Sequence, residues 1–449
     1  MQAELWLLRA ARRHPERRAI DDVTYAELLA RVDDAARRLA GAGVGPGDRV
    51  AIALPPPAPP SEASRATLAF CEALHACLRL GAVAVPVDVR AGPAERAAVA
   101  EGAALVVDGL LEAPVADAAL RDTIDLDATA VVVHTSGTTA APRAIELTAG
   151  NWLWSALGSA VALGLDPAER WLCALPLAHV GGLSVILRSA IYGTTALVHE
   201  RFETERVLPA LRAPDGPTLV SLVPTTLRRL LDAGLERPPA LRWALVGGAP
   251  VPEALLARAA DAGVPVAPTY GLTEACSQVT TLGAPLFCTR VELAPDDGEV
   301  LVAGPTVAPA AACAPERRES GRPVLRTGDL GAWGPDGALR IVGRKADTIV
   351  SGGENVAPAE VEAVLEAHPG VAEAAVHGRP DPEWGERVVA TVVPLDRQLA
   401  SLGGTGGLRA EELRAWCAAR LAAAKVPKDV AFADALPRTR SGKLERRRL

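Results

Sequence analysis

The 449-residue chain is poor in aromatic side chains, with three tyrosines, four phenylalanines and eight tryptophans, and it has a single methionine. Its cores must therefore rest on leucine, valine and alanine packing around a few tryptophan anchors. Seven cysteines, at 71, 77, 173, 276, 288, 313 and 417, contain no C-x-x-C pair, which speaks against a disulfide framework or a zinc site. No apolar run approaches the ~18 residues of a membrane span, and the opening Met1-Gln2-Ala3-Glu4-Leu5-Trp6 lacks the basic and long apolar regions of an export signal. Positive charge is short as well. A formal net charge of −7 excludes a general attraction to nucleic acid or anionic membranes, and Arg446-Arg447-Arg448 reads as a solvated chain end. These absences predict a cytoplasmic protein with reduced thiols, without membrane insertion and without a nucleic-acid partner.

What is present is ample apolar material. Hydrophobic residues make up 49% of the chain and charged residues 22%, enough for large cores, while the length exceeds what one core of roughly 250–300 residues supports. Apolar positions Leu28, Leu29, Val32, Ala36 and Leu39 recur at helical spacing between Thr24 and Ala40, and glycines at 41 and 43 stop the helix. The strand-like run Val50–Leu54, a proline-rich loop at Pro55–Pro60, a helix to Leu80 and a strand at Ala82–Val87 follow. Further strands are expected at Ala130–Val133, Ala196–His199, Thr218–Val223 and Leu241–Val246. Alternation of this kind predicts a parallel α/β sheet. The pattern changes near Gly343-Arg344-Lys345-Ala346-Asp347, after which a helix (Pro358–Ala367) and strands (Val371–Val376, Val388–Val393) define a smaller unit. The reading is a large layered α/β domain, 1–344, followed by a small mobile α+β domain, 345–449. Ser401–Gly407 is expected to be a flexible loop within the latter.

The strand at Ala130–Val133 runs into His134-Thr135-Ser136-Gly137-Thr138-Thr139-Ala140-Ala141-Pro142-Arg143. Small hydroxyl residues, a glycine and a closing cation suit polyphosphate, which backbone N–H groups and hydroxyls can wrap while the cation neutralises charge. By itself such a loop is as ordinary as any turn, and it is neither a P-loop nor a dinucleotide fingerprint. Its company is more specific. In order along the chain come Leu175-Pro176-Leu177-Ala178-His179, Gly247-Gly248-Ala249-Pro250, Tyr270-Gly271-Leu272-Thr273-Glu274, Thr327-Gly328-Asp329, Gly343-Arg344, Ser351-Gly352-Gly353-Glu354-Asn355 and Ser441-Gly442-Lys443.

In these motifs, across nearly its whole length, the chain resembles the adenylate-forming superfamily of acyl-CoA ligases, amino-acid-activating domains and luciferases. The resemblance implies that Thr135, Ser136, Gly137, Thr138 and Thr139, with Arg143, grip the phosphates of ATP. Gly248, Ala249 and Pro250 with Tyr270, Gly271 and Thr273 would enclose the adenine, and Asp329 and Arg344 would hold the ribose. Glu274, with Thr138, is similar to the family's magnesium site, Lys443 to its catalytic lysine, and Ser351–Asn355 to the loop of its thioester step. ATP, Mg2+ and coenzyme A are the implied cofactors and co-substrates, beside a small carboxylic acid; a homo-oligomer stays open. Two departures fall in the phosphate loop, where Ala140 and Arg143 replace the usual glycine and lysine. A third is Ala346, where relatives carry a charged hinge residue.

A narrower resemblance lies in Leu175–Arg188 and Tyr270–Gln278, which are similar to the o-succinylbenzoate-CoA ligases, the menaquinone-pathway branch of the superfamily. It implies an aromatic dicarboxylate whose succinyl carboxylate is activated, with Arg188 pairing the ring carboxylate and His179, Ser184, Ser277 and Gln278 lining the acyl pocket. Other readings stay open: another aryl- or fatty-acid ligase to which Arg188 is irrelevant, an oxidative luciferase-like reaction, a non-catalytic nucleotide-binding relative, and a carrier-protein thiol in place of free CoA.

Overall fold

The computed structural model describes residues 1–54, 60–135, 142–311, 324–395, 408–438 and 444–449, with the side chains of 60–64 and 447 excepted. The loop expected at Pro55–Pro60, apart from Pro60, and the one at Ser401–Gly407 lie outside the described residues, as do Ser136–Thr139, Cys313 and Lys443. The chain forms two compact units: Met1–Val251 with Leu255–Val291 and Val302–Leu325, and Pro252–Ala254 with Glu292–Leu301 and Arg326–Leu449.

The alternating pattern of the sequence becomes two sheets in the first unit. In the larger, the strands Arg170–Cys173, Leu219–Leu222, Trp243–Val246 and Val266–Leu272 run parallel, and Ser277–Thr281 adds an antiparallel edge. In the other, Arg49–Ile52, Val83–Pro86 and Thr129–Thr135 run parallel and Arg143–Thr148 returns antiparallel. Their strands are buried on both faces, so they read as continuous apolar runs such as Val131-Val132-Val133, all fully buried. One core cluster joins the sheet residues Leu172, Val220, Leu222, Ala244 and Val246 to helix residues Val207, Leu211, Leu227, Leu230 and Leu255.

Two helices matter for the site. Ala149–Leu163 carries no charged residue and starts from a reciprocal cap: the Asn151 N–H donates to Thr148 Oγ1 at 3.1 Å while the Thr148 N–H donates to Asn151 Oδ1 at 2.9 Å. Asn151 Nδ2 also bonds the carbonyls of Pro305 and Val307, tying the helix start to a distant loop. Val180–Tyr192 is buried from Gly182 to Ile191 and ends at Gly193, whose φ of 72° suits a left-handed helix terminus.

In the second unit, Val371–Asp381 and Gly385–Pro394 form a long antiparallel pair, flanked by Ile349–Ser351 and Asp429–Phe432. The helices Pro358–Glu366 and Ala410–Ala418 contribute Val361, Leu365 and Leu413 to its core. Among the described residues no helix is long and apolar enough to cross a membrane.

Candidate active site

In an open parallel sheet, ligands bind beyond the carboxyl ends of the strands. The sequence-predicted motifs of the first unit fall there. Gly247-Gly248-Ala249-Pro250 leaves the end of Trp243–Val246, and Tyr270-Gly271-Leu272 ends its parallel neighbour Val266–Leu272. Leu175–His179 leads from Arg170–Cys173 into the next helix. Thr135 closes the strand Thr129–Thr135 of the second sheet, opposite Arg143. Gly247 has no room for a side chain, since a Cβ there would stand 2.4 Å from Thr269 Oγ1, and Gly248 adopts φ 79°.

The hairpin formed by Val266–Leu272 and Ser277–Thr281 brings two motifs together by register: Gly271 lies opposite Gln278, and Leu272 opposite Ser277. Its tip is tight. A Cβ on Gly271 would lie 1.7 Å from the Ser277 carbonyl oxygen, and Cys276 and Ser277 both carry positive φ, 52° and 89°. Consecutive left-handed non-glycine residues hold strain of order 1–3 kcal/mol each, and such residues cluster where ligands are clamped. Glu274 stands half-buried on the single 3-10 turn between the strands, its carbonyl accepting from the Ala308 N–H at 2.8 Å.

That turn points the Cys276 carbonyl at the Ala149–Leu163 helix, where Ser155 Oγ donates to it at 2.6 Å. Ser155 in turn accepts from Arg188 Nη2 at 2.9 Å, and Gln278 Oε1 accepts from Arg188 Nη1 at 2.6 Å. The other end of the Gln278 amide is occupied, Nε2 donating to Thr281 Oγ1 at 2.8 Å. Beneath lies Trp171, its ring 5.7 Å from the guanidinium carbon. Arg188 itself is 2% exposed, its Nε has no hydrogen-bond partner, and among the described residues no carboxylate lies within ion-pair reach. Burial therefore depresses its proton affinity, only partly opposed by Tyr192 and Cys276.

His179 caps the start of the same helix, with Nε2 3.8 Å from Asp88 Oδ2. Burial pushes the Asp88 carboxyl up, but its bonds from Arg90 outweigh that and leave it below the ordinary carboxylate range. Ser184 is buried and donates back to the Val180 carbonyl within the helix.

In the second unit, Asp329 and Arg344 face each other across an antiparallel pair, with Arg344 Nε 2.7 Å from a nearly buried Asp329 Oδ1. Lys345 is paired with Asp297 and approaches Glu299 at 3.4 Å. Arg326 donates to the same Glu299 carboxylate through Nε and Nη2 at 2.9 and 2.5 Å. Ser351–Asn355 forms a two-residue hairpin, in which Ser351 pairs with Glu354 and Gly352 and Gly353 hold φ 60° and 84°, the mirror-image turn that favours paired glycines.

Of the residues named from sequence, Arg188 and Gln278 are in direct contact, and Ser277 and Glu274 share their hairpin. Ser155, Trp171 and Thr281 were not named. The signal available for Ser155 was a small polar residue on the buried face of a charge-free helix, the informative exception in a hydrophobic run; contacts between positions so far apart in sequence leave no local trace.

Family models account for most of this chain: "AMP-binding enzyme" over residues 7–107 and 105–310, and "AMP-binding enzyme C-terminal domain" over 360–443. The chain belongs to the AMP-binding enzyme family. More particularly, it is 35% identical to the 2-succinylbenzoate-CoA ligase of Bacillus subtilis (strain 168) over 99% of this chain and 97% of that protein. The o-succinylbenzoate CoA synthetase of Bacillus subtilis, solved with the acyl-adenylate intermediate OSB-AMP, superposes with a TM-score of 0.85 at 34% identity, over 100% of this chain and 98% of that one. Its complex with ATP and magnesium ion gives 0.87 at 34% identity, over all of both chains.

Proposed function

We propose that this protein is an ATP-dependent ligase that converts o-succinylbenzoate and coenzyme A to o-succinylbenzoyl-CoA, with release of AMP and pyrophosphate. The observation that carries the choice of acid is Arg188: a fully buried cation whose described partners are all neutral suits a substrate that brings a second carboxylate. A monocarboxylic acid offers no such compensation.

In the first half-reaction a carboxylate oxygen of the succinyl arm bonds to the α-phosphorus of ATP as the bond to pyrophosphate breaks. Charge develops on phosphate oxygens, and Lys443 with the loop from Thr135 to Arg143 is assigned to stabilise it. When bound, magnesium would supply further charge neutralisation to the phosphates. Glu274, half-buried on its turn, offers the hard carboxylate oxygen that suits such an ion. Glu274 and Thr138 are assigned to hold it. We assign Gly248–Pro250, Tyr270, Gly271 and Thr273 to adenine, Asp329 and Arg344 to ribose, and His179, Ser184 and Ser277 to the acyl pocket. In the second half-reaction the CoA sulfur bonds to the activated carbonyl carbon and AMP leaves with the former carboxylate oxygen. Rotation of the small domain about the segment Arg344–Asp347 is assigned to replace Lys443 by the Ser351–Asn355 loop between the halves. The need for ATP and CoA supports a cytoplasmic location.

Pyrophosphate release across a panel of acids, with and without CoA, tests the reading. Turnover should be strongest with o-succinylbenzoate and require CoA for the thioester. Equal turnover of 4-oxo-4-phenylbutanoate, which lacks the ring carboxylate, would replace it by a broader aryl-acid ligase.

A further inference from the structure

Arg188 can attract a substrate carboxylate only while no protein carboxylate has claimed it. Two neighbours at hydrogen-bond distance could have been acidic, and both are neutral: the amide oxygen of Gln278 at 2.6 Å and the hydroxyl of Ser155 at 2.9 Å. Each is itself pinned. The Thr281 hydroxyl holds the far end of the Gln278 amide, which turns the carbonyl oxygen toward the guanidinium. Ser155 spends its proton on the Cys276 carbonyl, so only its lone pair faces Arg188. All four are buried, Ser155 and Cys276 completely.

Resting on the reading above, we infer that Ser155 and Gln278 are positioning residues that hold Arg188 without neutralising it, and that the absence of negative charge on these two neighbours sets the preference for a dicarboxylic acid. Neither residue need touch the substrate. The chemistry is a balance of charges: two neutral acceptors satisfy two of the guanidinium's donors, Nε stays bare, and the full charge is left for the incoming anion. A glutamate at 278 has nearly the same shape and would form an internal ion pair with Arg188. The site would then repel a second carboxylate and accept a neutral ring.

The experiment compares kcat/KM for o-succinylbenzoate and 4-oxo-4-phenylbutanoate in the full-length enzyme, by pyrophosphate release. The variants are Gln278→Glu, Ser155→Asp and the neutral control Gln278→Met, each checked for folding by its melting curve. In both acidic variants the dicarboxylate preference, the ratio of the two kcat/KM values, should fall at least about 30-fold, chiefly through KM for the dicarboxylate; if only one of them folds, that one decides. Gln278→Met should keep most of the preference, because the charge on Arg188 is untouched. A folded acidic variant that keeps the full preference overturns the inference, as does loss of preference in Gln278→Met. Failure of the underlying reading looks different: the parent enzyme would then show no preference, or Arg188→Ala would leave it intact.

Discussion

Replacing Arg188 by methionine should leave the free enzyme at least as stable while destroying its selectivity for a dicarboxylate. The two effects have one cause. In the unliganded fold the guanidinium is removed from water without a carboxylate in reach, and the effective penalty for such a buried ion is several kcal/mol. Against this stand the interactions that methionine forfeits: a contact over the Trp171 ring at 5.7 Å, about 1 kcal/mol, and the donor to Gln278 Oε1, whose loss leaves that oxygen unsatisfied at about 1–3 kcal/mol. Ser155 is less affected, because its own proton remains on the Cys276 carbonyl. Methionine is apolar and flexible enough to refill most of the volume. The balance lies between about zero and 2 kcal/mol in favour of the variant, observable as an unchanged or raised midpoint in urea at constant slope. With o-succinylbenzoate, kcat/KM should fall by about 30- to 1000-fold, the 2–4 kcal/mol of a desolvated carboxylate left without its partner. With 4-oxo-4-phenylbutanoate the change should be small. A variant destabilised by more than about 2 kcal/mol would show that the guanidinium is compensated in the free enzyme and would refute the reasoning, whatever happens to activity.

Lys443→Ala should slow adenylation at least ~100-fold yet spare thioester formation from supplied acyl-adenylate, measured by pyrophosphate exchange and by CoA consumption separately; equal damage to both halves would remove the lysine from its assigned step. Gly352→Val should show the reverse bias, because a Cβ there would sit 2.9 Å from the Trp384 ring at a φ of 60°, distorting the hairpin assigned to the thioester step; loss of pyrophosphate exchange alongside CoA transfer would count against two separate conformations. Asp21→Asn should stabilise the protein increasingly as pH rises from about 4 to above 6. Burial raises the Asp21 carboxyl to about 6, opposed by its bond from the Val198 N–H, so the folded state binds the proton more tightly than the unfolded chain, and the parent loses up to about 3 kcal/mol as pH rises from about 4 through 6. Asparagine keeps the acceptor and tolerates the φ of 49°; melting curves at pH 4 and 7.5 that show no pH-dependent difference would contradict the assignment.

The fold was legible where burial is two-sided. Val131–Val133 and Trp243–Val246 are continuous apolar runs, and Leu219–Leu222 is one but for Ser221, because parallel strands are covered on both faces, and the strands observed in the first unit match the expected ones to within a residue or two. The helix expected at Thr24–Ala40 is observed at Tyr25–Gly41, with Thr24 as its cap. Val371–Val376 was too short: the strand continues to Asp381, through residues that are half-buried or exposed, because Gly385–Pro394 pairs with it along the whole length. Backbone pairing of that kind leaves no hydrophobic signature.

Candidate site residues could be picked out from the sequence, whereas the electrostatics around Arg188 could not be read there. Arg188 can be named from sequence, but an arginine on an apolar helix is ordinarily solvated or ion-paired, and only the packing shows that it is neither. The difference is decided by Ser155 and Gln278, which reach Arg188 from another helix and from a strand that follows two left-handed residues. Gly271 is the residue that makes this possible: any side chain there would collide with the Ser277 carbonyl and force open the hairpin that carries Gln278. A glycine inside the Tyr270–Glu274 motif thus also shapes the surroundings of Arg188. The link is through one backbone turn, and for that reason the two motifs Tyr270–Glu274 and Ser277–Gln278 cannot be varied independently.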